Sequence, residues 1–131
     1  MLKINNEDYK ILSSEIKYIN ATHNKQRGYS ILVTIDIKLN DAKGYISFYV
    51  DFFNTNDFQN IENKEYIELP TDLNSKITMI EIFDTKKFVD FIDSDVTLKF
   101  GNIIDNKIEM KLNINDELIN LEYQGMLNIN N

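Results

Sequence analysis

Residues 29–39 read YSILVTIDIKL, and this stretch decides the fold. Large apolar side chains alternate with mostly polar ones, which is the period-two pattern of a β-strand that has one face on a core and the other towards solvent. A surface helix would instead place its apolar residues three or four positions apart. The apolar set consists of Ile31, Val33, Ile35, Ile37 and Leu39.

The same alternation recurs on both sides of this strand. Residues 40–44 have the polar and glycine chemistry of a turn, and residues 45–53 alternate again, so the two strands should form a hairpin. Further strands are expected at residues 15–19, 65–69, 76–83, 96–100, 108–114, 118–123 and 126–129, with a bend or bulge at Gly125 between the last two.

One segment predicts a helix. Within residues 85–93, Phe88, Phe91 and Ile92 have the i, i+3, i+4 spacing of an apolar helix face. The charges at its two ends oppose the helix dipole, so packing would have to hold it. Residues 5–12 are compatible with a short helix or an irregular strand, and the pattern does not decide between them.

These elements define a fold class that is mainly β, a β-rich α+β arrangement. We expect an antiparallel curved sheet or small barrel of about eight strands, with one short helix at roughly 85–93, in a single domain over residues 1–131. A two-sheet sandwich is the alternative packing. With 131 residues and 43% hydrophobic composition, the chain is large and apolar enough to bury a core.

Composition removes several classes of function. There are 21 acidic and 14 basic residues, a net charge of −7, so neither nucleic acid nor an anionic membrane is expected as a partner. Cysteine is absent, which excludes disulfides and thiolate chemistry. The chain has no run of ~20 apolar residues and no signal-like start, so a cytoplasmic location is expected.

Patterns for cofactor or metal chemistry do not emerge. No glycine lies in a phosphate-binding loop motif. His23, the single histidine, could act as a base or a ligand, but a solvated loop histidine is the simpler interpretation. Asp90, Asp93 and Asp95 form an acidic cluster without the spacing of an EF-hand calcium loop. We expect no catalytic residue, no metal and no cofactor.

The most suggestive feature is the polar face of the strand at 45–53. Tyr45, Ser47, Tyr49 and Asp51 alternate with the apolar positions, and tyrosine beside serine is typical of recognition surfaces. The simpler interpretation is that these tyrosines pack along neighbouring strands. The leading hypothesis is a non-enzymatic domain that binds another protein, such as a small acidic antidote or a subunit of an assembly. The acidic cluster Asp90, Asp93 and Asp95 favours a basic partner, and a homo-oligomer is also compatible.

Two other functions stay open. A barrel could carry a small apolar ligand in a lumen lined by Phe48, Tyr49, Phe52 and Phe100. A hydrolase with paired carboxylates is the second alternative, but abundant acidic residues make such a pair easy to imagine and impossible to place.

Overall fold

The computed structural model describes residues 1–21, 28–52, 55–68, 77–84, 87–91, 95–117 and 119–130. Within these ranges the chain forms eleven β-strands and one short helix. In chain order they are β1 (Leu2–Ile4), β2 (Glu7–Asp8), β3 (Lys10–Ala21), β4 (Gly28–Leu39), β5 (Ala42–Phe52), α1 (Thr55–Gln59), β6 (Glu65–Glu68), β7 (Ile77–Asp84), β8 (Lys87–Phe91), β9 (Asp95–Ile104), β10 (Lys107–Asn115) and β11 (Asn120–Asn130).

The strands form one sheet, whose main path runs β6-β9-β10-β11-β3-β4-β5-β7-β8. The β1–β2 hairpin joins this path at β11. Neighbours on the path are antiparallel except β11 and β3, which run parallel and pair residues 128–130 with 15–17. The sheet is open and curls into a half-barrel, so the expected mainly β, curved architecture is confirmed.

The curl follows from a short connection between strands near opposite ends of the sheet. β8 ends at Phe91 and β9 begins at Asp95, so their Cα atoms lie within about 14 Å, the reach of four extended residues. In a flat sheet with strands about 4.8 Å apart, the seven steps from β9 to β8 would separate them by about 34 Å. The sheet therefore has to bend back on itself.

The hydrophobic core lies on the inner face of the curl. It is built by the alternation that the sequence predicted, because successive side chains of a strand point to opposite faces. The strands expected at 29–39, 45–53 and 108–114 are confirmed as β4, β5 and β10, with residue 53 outside the described ranges. Seven inner residues of β4 and β5 are at most 1% exposed, and they are Ile31, Val33, Ile35, Ile37, Ile46, Phe48 and Val50.

The helix expected at roughly 85–93 is wrong. Residues 87–91 form strand β8, whose backbone pairs with β7 in the register Ile82 with Val89 and Phe83 with Phe88. Phe88, Val89 and Phe91 are aromatic or β-branched residues that suit a strand, and β7 offers a sheet edge for them to extend. Pairing with the edge of β7 outweighs the local i, i+3 spacing. This pairing is a long-range contact, and no local sequence pattern can reveal it.

Asparagine-rich turns connect the hairpins. Asn5 and Asn6 have φ angles of 50° and 67°, and Asp105 and Asn106 have 52° and 60°, as the two-residue turns favoured by antiparallel hairpins require. Residues 5–12, which the sequence left undecided, thus hold this first turn, β2 and the start of β3. A helical turn at α1 was not expected. No helix in the described part of the chain is long and apolar enough to cross a membrane.

The two short strands expected at 118–123 and 126–129 are one continuous strand, β11. Position 125 of this strand is occupied by glycine because the ring of Tyr123 covers it and leaves little room for a Cβ atom. A Cβ atom at Gly125 would lie 2.8 Å from the Tyr123 hydroxyl oxygen and 3.2 Å from its Cζ. Tyr123 is buried and shares a hydrogen bond with Ser14, whose hydroxyl donates to the Met126 carbonyl at 2.9 Å. These contacts join β11 to β3 beside their short parallel pairing.

The substitution Gly125→Ala tests this arrangement. We expect it to lower the free energy of unfolding by about 1–3 kcal/mol, because the new methyl group overlaps the Tyr123 hydroxyl. In a Tyr123→Phe background the same substitution should cost less, since the nearest atom is gone. Denaturant unfolding of the four proteins in the double-mutant cycle measures the coupling. Equal costs in both backgrounds would contradict it.

Candidate binding surfaces

The four polar-face residues expected to bind a partner lie together on the outer face of the sheet, opposite the core. These four residues of β5, together with their direct partners on β4, form a surface that we call the outer ladder. The outer ladder consists of the pairs Tyr45–Asp36, Ser47–Thr34, Tyr49–Leu32 and Asp51–Ser30. All four β5 residues are half-buried, as are Leu32 and Thr34.

Hydrogen bonds hold the two carboxylates of the outer ladder in place. The Ser30 hydroxyl donates to Asp51 Oδ1 at 2.6 Å, and Ser30 itself is fully buried. The Ser13 hydroxyl of β3 donates to Asp36 Oδ2 at 2.8 Å. Charge-assisted hydrogen bonds of this kind are strong and fix the orientation of a carboxylate.

The outer face on the other side of the β11–β3 seam has a different character. There the outward residues of β10 and β11 are exposed, apart from the half-buried Glu109 and Gly125, and are mostly charged or amide-bearing. They include Lys111, Asn113, Glu122 and Gln124, with Met126 as an exposed apolar exception. Among the described outward residues of β4, β5, β10 and β11, tyrosine occurs only on the β5 side.

The acidic residues expected at the same surface are spread along the chain. The backbone register pairs Ser47 with Glu81 and Glu81 with Asp90, so Asp90 continues the row of Ser47 to the edge strand β8. Asp95 is exposed at the start of β9, near the other end of the sheet path. Asp93 and His23 lie outside the described residues. Within the described ranges, no three acidic or histidine side chains group as metal ligands.

The four residues expected to line a lumen do not share a face. Phe48, Phe52 and Phe100 belong to the buried core, with exposures of 0%, 5% and 0%. Tyr49 lies on the outer ladder. A common lining of these four residues is therefore not formed.

A feature that the sequence did not suggest is an aromatic cleft where the two halves of the curl meet. Phe52 at the end of β5 and Tyr66 of β6 contact edge to face with ring centroids 6.1 Å apart. Tyr66 contacts Phe100 of β9 in the same way at 6.3 Å. The cleft has a volume of about 210 Å³ and is lined by Phe52, Asp57, Asn60, Lys64 and Tyr66.

The segment between α1 and β6 shapes the rim of the cleft. Its backbone is bonded to β9, since the Phe100 amide donates to the Lys64 carbonyl at 2.9 Å and the Asn63 amide donates to the Gly101 carbonyl at 3.2 Å. The Asn60 amide group donates to the Asn56 carbonyl at 2.7 Å. These bonds cover part of the edge of β9, and they hold a carboxamide and an ammonium group beside the aromatic rings.

The phenol of Tyr66 is the most perturbed titratable group in the cleft. Its pKa is raised from 10.0 to about 12, mainly by burial and to a smaller extent by the charges of Asp57 and Tyr18. Burial also raises the pKa of Tyr18, with a contribution from Glu62. Both phenols are therefore neutral hydrogen-bonding groups at ordinary pH. The sequence carried no signal for this cluster, because its members belong to separate elements, β5, α1 and β6, that meet only in the folded sheet.

Comparison with known proteins finds no family model that matches the chain, no similar curated protein and no similar solved structure. The class that the coordinates define is an open, curled, mainly antiparallel sheet. Functional arguments for this chain therefore rest on its own surfaces.

The raised pKa of Tyr66 predicts an alkaline loss of stability. The folded protein holds this proton more tightly than the unfolded chain, so the stabilisation is complete below pH 10 and is lost as the pH rises from 10 towards 12. Tyr66→Phe should remove the last phenolate step from an absorbance titration. Asp57→Asn should move that step to lower pH, because the carboxylate no longer opposes the phenolate. If the high-pH part of the absorbance titration were unchanged in both variants, the assignment of the last phenolate step to Tyr66 would be contradicted.

Proposed function

We propose that this chain is a non-enzymatic domain that binds another protein through the outer ladder. The observation that carries the proposal is the placement of Tyr45 and Tyr49 of β5, with Leu32 of β4 paired to Tyr49, on the outer face of two central strands. Tyrosine provides a large amphipathic contact area and loses little side-chain entropy on binding. Two adjacent, fully paired strands give those side chains a rigid base, which lowers the ordering cost of association.

The polar members of the outer ladder suit the same role. Ser47 and Thr34 offer hydroxyl groups between the tyrosines, and Asp36 is exposed at one end. Interfaces of this type combine central aromatic anchors with a polar rim that supplies hydrogen bonds.

A basic partner is the best match to the charge of the chain. The net charge of −7 attracts cationic surfaces and raises the rate of encounter with them. Asp95 is exposed and able to contribute to this field. The acidic antidote or assembly subunit remains our preferred biological setting, on the strength of this charge and the aromatic ladder.

Carriage of a small apolar ligand inside the half-barrel is the weaker proposal. It would use Phe48, Phe52 and Phe100, which pack within the core, whereas Tyr49 belongs to the opposite face. No geometric observation favours the paired-carboxylate hydrolase.

Removing both tyrosines tests the outer ladder. The double variant Tyr45→Ser, Tyr49→Ser should bind the partner at least about tenfold more weakly than the unchanged protein, because central aromatic side chains dominate interface energetics. The partner is identified by affinity capture and mass spectrometry, and its affinity is then measured with purified proteins. Thermal unfolding of each variant confirms that the sheet is retained.

The matched control is the double variant Asn113→Ser, Gln124→Ser, which shortens two outward side chains on β10 and β11. This control should bind as the unchanged protein does. The proposed surface would be refuted if both double variants bound the partner equally well. It would also be refuted if the tyrosine variant still captured every partner that the unchanged protein captures.

The charge argument makes a separate prediction about salt. Raising the ionic strength from 0.1 M to 1 M shortens the screening length from about 10 Å to about 3 Å, so the association rate with the partner should fall at least about tenfold. The dissociation rate should change less, because the aromatic contacts are insensitive to screening. A salt-independent association rate in surface plasmon resonance would exclude a basic partner.

A further inference from the structure

Strand β6 is one of the two end strands of the main sheet path, and in the described part of the chain it pairs with β9 alone. We propose that its other edge binds an extended, cationic segment of another protein as an added antiparallel strand. An apolar side chain of that segment lies beside Ile67, and a lysine or arginine lies beside Glu65. This site is on a different strand from the outer ladder and does not depend on it.

The backbone of β6 offers hydrogen-bonding groups along this edge. In an antiparallel pair, residues that bond to the partner strand alternate with residues whose N–H and C=O groups point away from it. The Phe100 amide donates to the Lys64 carbonyl at 2.9 Å, so Lys64 belongs to the bonded set. Tyr66, two positions further along the same register, bonds to β9 in the same way. The N–H and C=O groups of Glu65 and Ile67 therefore point to the open edge.

The side chains of the same two residues face outward. Tyr66 contacts Phe52 and Phe100 on the core side. Because successive side chains of a strand point to opposite faces, Glu65 and Ile67 lie on the outer face. Glu65 is exposed, and Ile67 is 60% exposed. An isoleucine this exposed offers apolar area to an added strand, since cross-strand side-chain pairs stabilise a sheet.

The charge of this edge selects a cationic occupant. The outer face carries Glu65 on β6 and the exposed Asp95 at the first position of β9. Lys99, across from Glu65 on β9, offsets part of this charge and leaves an acidic surplus. The whole chain has a net charge of −7, so it attracts a cationic segment and opposes association with a second copy of itself. A charged residue on an edge strand also guards against pairing between identical copies.

A segment bound here has a defined pattern. The residue opposite Ile67 exchanges two backbone hydrogen bonds with it, and the residue two positions later does the same with Glu65. An apolar residue followed two positions later by lysine or arginine therefore matches both side chains. In this mode of recognition the main-chain bonds supply affinity, and the alternate side chains supply specificity.

An NMR titration of the full chain with the peptide acetyl-Lys-Thr-Leu-Thr-Lys-amide tests the proposal. The peptide should bind saturably, with the largest amide shift changes at Glu65 and Ile67. Replacing both peptide lysines by glutamate should weaken binding at least about tenfold, because like charges repel across paired strands.

Two methylated peptides test the backbone contacts. Methylation of the leucine amide nitrogen should weaken binding at least about tenfold, since this N–H donates to β6. The matched control carries the methyl group on the amide nitrogen of the threonine before leucine. That N–H points away from β6, so the affinity should change less than about twofold.

Variants of the protein separate the backbone from the side chains. Ile67→Pro removes the N–H at the open edge and none of the bonds to β9, so the protein should stay folded and bind the peptide at least about tenfold more weakly. Ile67→Ala keeps this N–H and should weaken binding less than proline does. Glu65→Gln should weaken binding about threefold, and Glu122→Gln, the same change on β11, should leave it unchanged. Thermal unfolding checks that each variant is folded.

Several outcomes overturn the proposal. These are the absence of saturable binding, equal binding of the two methylated peptides, and equal losses in Glu65→Gln and Glu122→Gln. Loss of peptide binding in the double variant Tyr45→Ser, Tyr49→Ser would move the site to the outer ladder. If sedimentation showed a dimer that Ile67→Pro converts to a monomer, the edge would be occupied by a second copy and the cationic segment would be excluded.

Discussion

Contact between Phe52 and Tyr66, with Phe100 behind Tyr66, joins two strands that lie far apart along the sheet path, β5 and β6. β5 and β6 are six steps apart along the sheet path, which would place them about 29 Å apart if the sheet were flat. Their rings are nevertheless about 6 Å apart. The curl that makes this contact also encloses the core, in which the inner side chains of β4, β5, β9 and β10 belong to one buried cluster. Aromatic contacts of this kind stabilise beyond the area they bury.

The curl divides the molecule into surfaces of different chemistry. The inner face is apolar and buried, the outer face of β10 and β11 is charged and solvated, and the outer face of β4 and β5 carries tyrosine and hydroxyl groups. The aromatic cleft lies where the strand β5 ends beside β6. An open sheet also has edges, and the segment after α1 covers part of the β9 edge through its bonds to Phe100 and Gly101. Each surface can therefore change its binding properties with little effect on the core.

The predictions succeeded where one strand could be read by itself. Residues 29–39 sorted into inner and outer sets because a strand has a side-chain period of two, and the tyrosines of β5 were assigned to the correct face by the same argument. They failed at residues 87–91, where the spacing of Phe88 and Phe91 suggested a helix while the edge of β7 imposed a strand. The cleft was missed because its residues come from three separate elements.

The amino-acid sequence by itself determined the strands, their buried faces and the asparagine turns, since each depends on residues within a few positions of one another. The tertiary structure alone decided the strand order, the parallel pairing of β11 with β3, and the meeting of Phe52 with Tyr66. These features depend on how far the sheet bends before its ends meet. That bend is set by the packing of the whole core and by the short link from β8 to β9, and no single stretch of sequence encodes it.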